Sequence, residues 1–226
     1  MHQPDNPELL SQSLITQSQI LSAAASIQCN GEITKRDEPV RQLIARSAEL
    51  VRGAASLGKD KNAVALGILA RAILENLIVL LWVQVSEFNA KELSETGVVE
   101  LSRVARINLE SGNAKIRNRE NGQDVTEEFL AAGRFKNLPK RKSVASQAEE
   151  AGVEDLYNIF YRFLSLEMHG HETSSSQENG ANELPVIHMH GIGALSKAVG
   201  HAGVRWLLHR ERTDNETLRE ILGLAA

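Results

Sequence analysis

The 226-residue chain has a single cysteine, Cys29, so no disulfide can form within it, which fits a reducing compartment. A secretory signal is missing too: Met1 to Leu10 has no basic stretch followed by an apolar run. The net charge is only −4, which gives no global reason to expect attraction to nucleic acid or to a membrane. Self-similarity at solenoid periods is absent, and so is almost any alternating text of the kind that makes strands. What remains is ordinary in hydrophobic content, at 42%, and long enough to bury a substantial core. These absences leave an all-α chain, expected to be cytoplasmic, as the reading to develop.

The turn residues divide the text into helices. Asp5-Asn6-Pro7 reads as a cap followed by proline in the first turn of a helix over about 7–29, with Leu10, Leu14, Ile20, Leu21 and Ile27 apolar. Asp37 and Pro39 open a second helix that Gly58 closes, with Val40, Leu43, Ile44, Leu50 and Val51 at helical spacing. A third covers about 61–87 and a fourth runs from near Asn89 to Ser111. From Gly112 to Lys142 the text turns polar and basic, with a short helix after Thr126. Ser143 to Ala151 is a further short helix stopped by Gly152, and the next spans about 153–169. A polar loop at about 172–185 precedes a long helix over about 192–210, and Thr213 with Glu216 caps a last short one. The expectation is a single helical domain over 1–226, a bundle of about six main helices around a buried central helix. It carries a basic polar insertion at about 112–142.

That central helix is the third. Ala63 to Val83 is 21 residues long, close to the ~20 a bilayer span requires. Arg71 and Glu75 sit at its middle, where each charge would cost ~2.5–3.5 kcal/mol on insertion scales. The segment therefore reads as a buried helix among other helices, and no membrane is expected as partner. Four residues apart, Arg71 and Glu75 share a face. Such a pair either joins a buried polar network with Asn76 that fixes helix packing, or lines a site.

The stretch YNIFYRFLSLEMHGH (157–171) carries the chemistry. Arg162, Ser165 and His169 stand at i, i+3 and i+7, so they point the same way on a helix. A histidine at a helix C-terminus, titrating near neutrality, can take a proton from an RNA 2′-hydroxyl or give one to the leaving 5′-oxygen. A neighbouring arginine can hold the phosphate and stabilise the charge that grows on it. Arg162 or Arg71 is the candidate for that role. The alternative is an Arg and a His that only tie off the helix end.

Arg-x6-His on a late helix of an all-α bundle resembles the motif of the HEPN superfamily, the higher eukaryotes and prokaryotes nucleotide-binding domains. The resemblance implies a metal-independent ribonuclease of toxin–antitoxin or phage-defence type, needing no cofactor. Its implied partners are RNA, a second copy in a homodimer, and an antitoxin or regulatory protein. The text ARAILENLIVLLWV followed by YRFLSLEMHGH is also similar to bacterial all-helical families of unknown function, over about residues 60–175. In those, an Arg-x3-Glu helix pairs with a Ser-x3-His helix, here Arg71/Glu75 and Ser165/His169.

Two further features bear on ligands. Residues 103–142 hold ten Lys/Arg against five Asp/Glu, leaving −9 for the rest of the chain. Arg134, Lys136, Lys140, Arg141 and Lys142 are the candidate RNA contacts, with a solvated loop as the alternative. Four histidines form two His-x-His pairs, His169/His171 and His188/His190, near Glu172 and Glu183. On an extended strand such a pair can chelate a metal, which would make the chain a metal-dependent hydrolase; in a loop over the bundle they would only bond locally. A non-enzymatic interaction or regulatory protein with a structural Arg/Glu/Ser/His layer is the remaining alternative.

Overall fold

The computed structural model describes residues 6–132, 142–161, 164 and 183–224. Among these the protein is all-α: there is no strand, only an isolated antiparallel bridge between Arg117 and Asp124. The helices are α1 (Pro7–Ala25), α2 (Asp37–Lys59), α3 (Ala63–Val83), α4 (Glu87–Glu110), α5 (Thr126–Ala131), α6 (Val144–Ala151), α7 (Glu154–Leu156), α8 (Leu184–His209) and α9 (Asn215–Ile221). A π-helical turn, Tyr157–Tyr161, continues α7. The chain forms two compact units, one of residues 1–90 and 143–226 and the other of Lys91–Lys142. The second unit starts 21 residues before Gly112, taking in most of α4 as well as the basic segment.

Helix starts follow the local chemistry. Asn6 Oδ1 accepts from the Glu8 backbone N–H at 2.9 Å, with Pro7 in the first turn of α1. Asn62 caps α3 through the Ala65 N–H, 3.0 Å away. Ser143 caps α6, which ends in Gly152 at φ +71°, a left-handed geometry that glycine adopts without a Cβ clash. The last helix departs from expectation by one residue. Its cap is Asp214, which accepts from the Thr217 N–H and hydroxyl at 2.8 and 2.9 Å, while Thr213 is buried behind it. An aspartate one residue on offers two acceptor oxygens to the first turn, and it wins.

In the larger unit α3 is the core helix, packed against α2, α6, α8 and the π turn. Every residue from Asn76 to Val83 is buried, so this half of the helix has no outward face. Long and apolar enough to cross a bilayer, it is 61% buried over its most apolar window by the protein's own helices. α1 packs through Ser11, Leu14, Ser18, Leu21 and Ala24, a seam half made of small residues; Ile20, expected inside, is 60% exposed. Small residues let backbones approach elsewhere too. A Cβ on Gly203 of α8 would fall inside van der Waals contact with Ile44 of α2, and one on Gly58 would meet Met189.

Candidate functional site

Arg71 and Glu75 lie on the half of α3 that is not fully enclosed, and both are half-buried. The Arg71 guanidinium lies 4.6 Å from the centroid of the Tyr161 ring, and its Nη2 donates to Tyr161 Oη at 2.8 Å. Tyr161 in turn stacks on Tyr157, with centroids 4.9 Å apart and planes at 22°. Arginine, tyrosine and tyrosine thus form a three-layer stack joining α3 to the π turn, residues 90 apart in sequence. The π turn holds both rings on one side. These two are the only tyrosines in the chain.

Asn76 does not belong to this group. Its Nδ2 donates to Ser47 Oγ at 3.1 Å, and Ser47 donates to the Leu43 carbonyl at 2.8 Å, so it ties α3 to α2. One residue on a helix turns the side chain by about 100°, which separates Asn76 from Glu75. Arg162, Ser165, His169 and His171 lie outside the described residues, as do Arg134, Lys136, Lys140 and Arg141. Lys142 is described, and its Nζ is 3.3 Å from Glu92 Oε2 with both side chains mostly covered. Other cations of the basic segment are paired as well: Arg103 with Glu100 at 2.6 Å, Arg106 with Glu110 at 2.7 Å and Lys115 with Asp124 at 3.4 Å.

The His188/His190 pair is on neither a strand nor a loop. α8 begins at Leu184, eight residues earlier than expected, with Pro185 in its first turn. Two residues on a helix are ~200° apart, so His188 is buried, 7% exposed, while His190 faces out. Among the described residues no group of three or more His, Cys, Asp or Glu is placed to hold a metal ion.

One polar cluster of the same unit escapes sequence reading. Asp37, 1% exposed at the start of α2, bonds Arg210, the Trp206 indole at 3.1 Å and the Thr34 N–H at 2.6 Å. Burial alone would raise its carboxyl pKa. The Thr34 backbone, Arg210 and Trp206 together outweigh that and hold it below the ordinary aspartate range. Arg36 lies 4.7 Å from the Trp206 ring centroid and donates to the Gln84 carbonyl at 3.2 Å. The cluster locks the α1–α2 loop to the ends of α3 and α8. Its partners are about 170 residues apart, and only a charge at a helix start pointed to it.

An all-α unit with a buried core helix, and an Arg-x3-Glu pair on that helix whose arginine reaches the 157–161 turn, describes the class of protein. The chain belongs to DUF5677, a family of unknown function whose profile matches residues 37–182, well over half its length. This agrees with the resemblance to all-helical families of unknown function; the resemblance to HEPN domains has no counterpart in it. Neither a curated protein nor a solved structure gives a significant match.

Proposed function

We propose that the chain is a metal-independent RNA-cleaving effector whose site combines Arg71 and the tyrosine pair with His169. The observation that carries this reading is the contact of Arg71 with Tyr161, the residue immediately before Arg162. It ties α3, at Arg71, to the π turn that directly precedes Arg162, Ser165 and His169 in sequence. In the proposed reaction His169 takes the proton of the 2′-hydroxyl. The 2′-oxygen attacks phosphorus, the bond to the 5′-oxygen breaks, and that oxygen takes up a proton. Arg71 or Arg162 holds the phosphate as charge grows on it, and Glu75, one turn along α3, orients Arg71. Homodimer formation and an antitoxin or regulatory partner belong to the same proposal.

A second reading has its own support. The Arg71 bond and ring contact are also what a structural tie between α3 and the π turn would use, in a non-enzymatic interaction protein. Mixed RNA incubated in EDTA with the wild-type chain, His169→Ala and Arg71→Ala separates the two. Cleavage that survives EDTA and vanishes in His169→Ala supports the enzyme. If the wild type leaves RNA intact while Arg71→Ala merely melts earlier, the layer is a staple.

A further inference from the structure

The proposed reaction leaves one proton without a source. When the bond from phosphorus to the 5′-oxygen breaks, that oxygen departs as an alkoxide unless an acid meets it. The attacking and leaving oxygens lie roughly in line on opposite sides of phosphorus. A side chain that takes the 2′-hydroxyl proton is therefore on the wrong side to deliver the second one in the same step. A separate donor is needed, close to whatever holds the phosphate.

Arg71 is the described candidate for holding the phosphate, and it touches a group of the right chemistry. Its Nη2 donates to Tyr161 Oη at 2.8 Å, and both side chains are half-buried. An arginine does not give up a proton in a protein, so Arg71 is not itself the acid. A phenol can be, because it carries an O–H donor as well as lone pairs that accept. At Tyr161 a lone pair takes the Arg71 N–H, and the hydroxyl proton still belongs to the phenol. Reach follows from the guanidinium, which presents five N–H donors in a fixed planar fork. Two acceptors on neighbouring N–H groups of one fork, each at ~2.8 Å, lie within roughly 5 Å of each other. A phosphate on Arg71 thus brings its oxygens beside the Tyr161 hydroxyl. The 4.6 Å contact of the guanidinium with the Tyr161 ring, and Tyr157 stacked on that ring at 4.9 Å, hold the phenol in place.

We infer that Tyr161 is the general acid of the proposed reaction and gives its hydroxyl proton to the leaving 5′-oxygen of the RNA. The inference rests on the RNA-cleaving reading and deepens it by a second catalytic residue. His169 takes the proton of the 2′-hydroxyl, the 2′-oxygen bonds to phosphorus, and the electron pair of the breaking bond goes to the 5′-oxygen. That oxygen takes the proton of Tyr161 Oη and leaves as a 5′-hydroxyl, while the phosphate closes on the 2′- and 3′-oxygens. The phenolate stays beside the Arg71 guanidinium and regains a proton from water, and His169 returns its own to water.

The test uses the leaving group. A linkage that the full wild-type chain cleaves in mixed RNA in EDTA is rebuilt in two oligoribonucleotides, one with the native 5′-oxygen and one with sulfur in its place. A thiolate leaves without being protonated, so the sulfur substrate has no use for a general acid. Cleavage rates on both are measured for the wild type and for Tyr161→Phe, which keeps the ring on Arg71 and removes only the hydroxyl. Thermal melts record that each chain is folded at the assay temperature. The inference predicts that Tyr161→Phe is slower by about 100-fold on the oxygen substrate and close to the wild-type rate on the sulfur substrate. A merely structural hydroxyl would slow both substrates alike. Equal losses on the two, or no loss on either, overturn the role of Tyr161 and leave the enzyme standing. Mixed RNA left intact by the wild type overturns the enzyme reading, and the general acid with it.

Discussion

At the scale of single residues, two side chains set the strongest expectations. Asp37 is a buried carboxylate whose charge is matched by Arg210 and by two N–H donors. Removing its charge strands a guanidinium in a half-closed site, so Asp37→Asn should destabilise the protein by roughly 3 kcal/mol at neutral pH. The pH dependence follows from the direction of the shift. A carboxyl held below its unfolded value, ~3.9, contributes stability that is present above that pH and lost as pH falls through the lower folded value. Urea midpoints of wild type and Asp37→Asn should therefore differ most between pH 5 and 7 and converge below about pH 4. A gap that stays constant down to pH 3 would mean the cluster does not act through the Asp37 charge. Tyr161 separates two parts of the Arg71 contact. Tyr161→Phe keeps the ring under the guanidinium and removes only the hydroxyl acceptor, for about 1 kcal/mol; Tyr161→Ala removes both and should cost more. Thermal or urea melts of the pair give the comparison, and equal losses would show that the ring contact contributes nothing.

Between elements, the approach of α8 to α2 is governed by Gly203. The space its missing Cβ leaves is occupied by Ile44, so Gly203→Ala should destabilise by about 1–3 kcal/mol through overpacking. Shortening Ile44 to Val in the same chain should recover part of the loss, since the two positions share one volume. A double-mutant cycle on chemical denaturation reads this directly; additive losses would mean that the helices relax apart instead. Helix ends were legible where one residue decides them: Asn6 with Pro7, Ser143 with Gly152, and Asp37 with Pro39 all mark observed starts or stops. The π turn was not legible, because the same apolar text, Leu156, Ile159 and Phe160, suits an ordinary helix. The early start of α8 was hidden by Gly191 and Gly193, which interrupt the text but lie within the helix, where tertiary packing outweighs their poor propensity.

For the whole molecule, the sequence made the core helix plain because eight consecutive buried residues leave no other use for such a segment. The polar contacts were far less legible. Arg71 and Glu75 stood out as charges in apolar text, yet the residue that Arg71 meets, Tyr161, carries no charge and no motif spacing to mark it. The basic segment looked like a phosphate contact by composition. Pairing with Glu92, Glu100, Glu110 and Asp124 neutralises several of its cations, something a tally of charges along the chain does not reveal. What unifies the proposal is the contact of Arg71 on α3 with Tyr161 of the π turn, directly ahead in sequence of Arg162.

The most direct test of that account is the chemistry of the RNA ends. Wild-type chain is incubated with a defined oligoribonucleotide in EDTA, and the product termini are read by mass spectrometry. Attack by the 2′-oxygen predicts fragments ending in a 2′,3′-cyclic phosphate and beginning with a 5′-hydroxyl, absent with His169→Ala. Intact RNA, or fragments with 3′-hydroxyl and 5′-phosphate ends that appear only when metal is added, would contradict it.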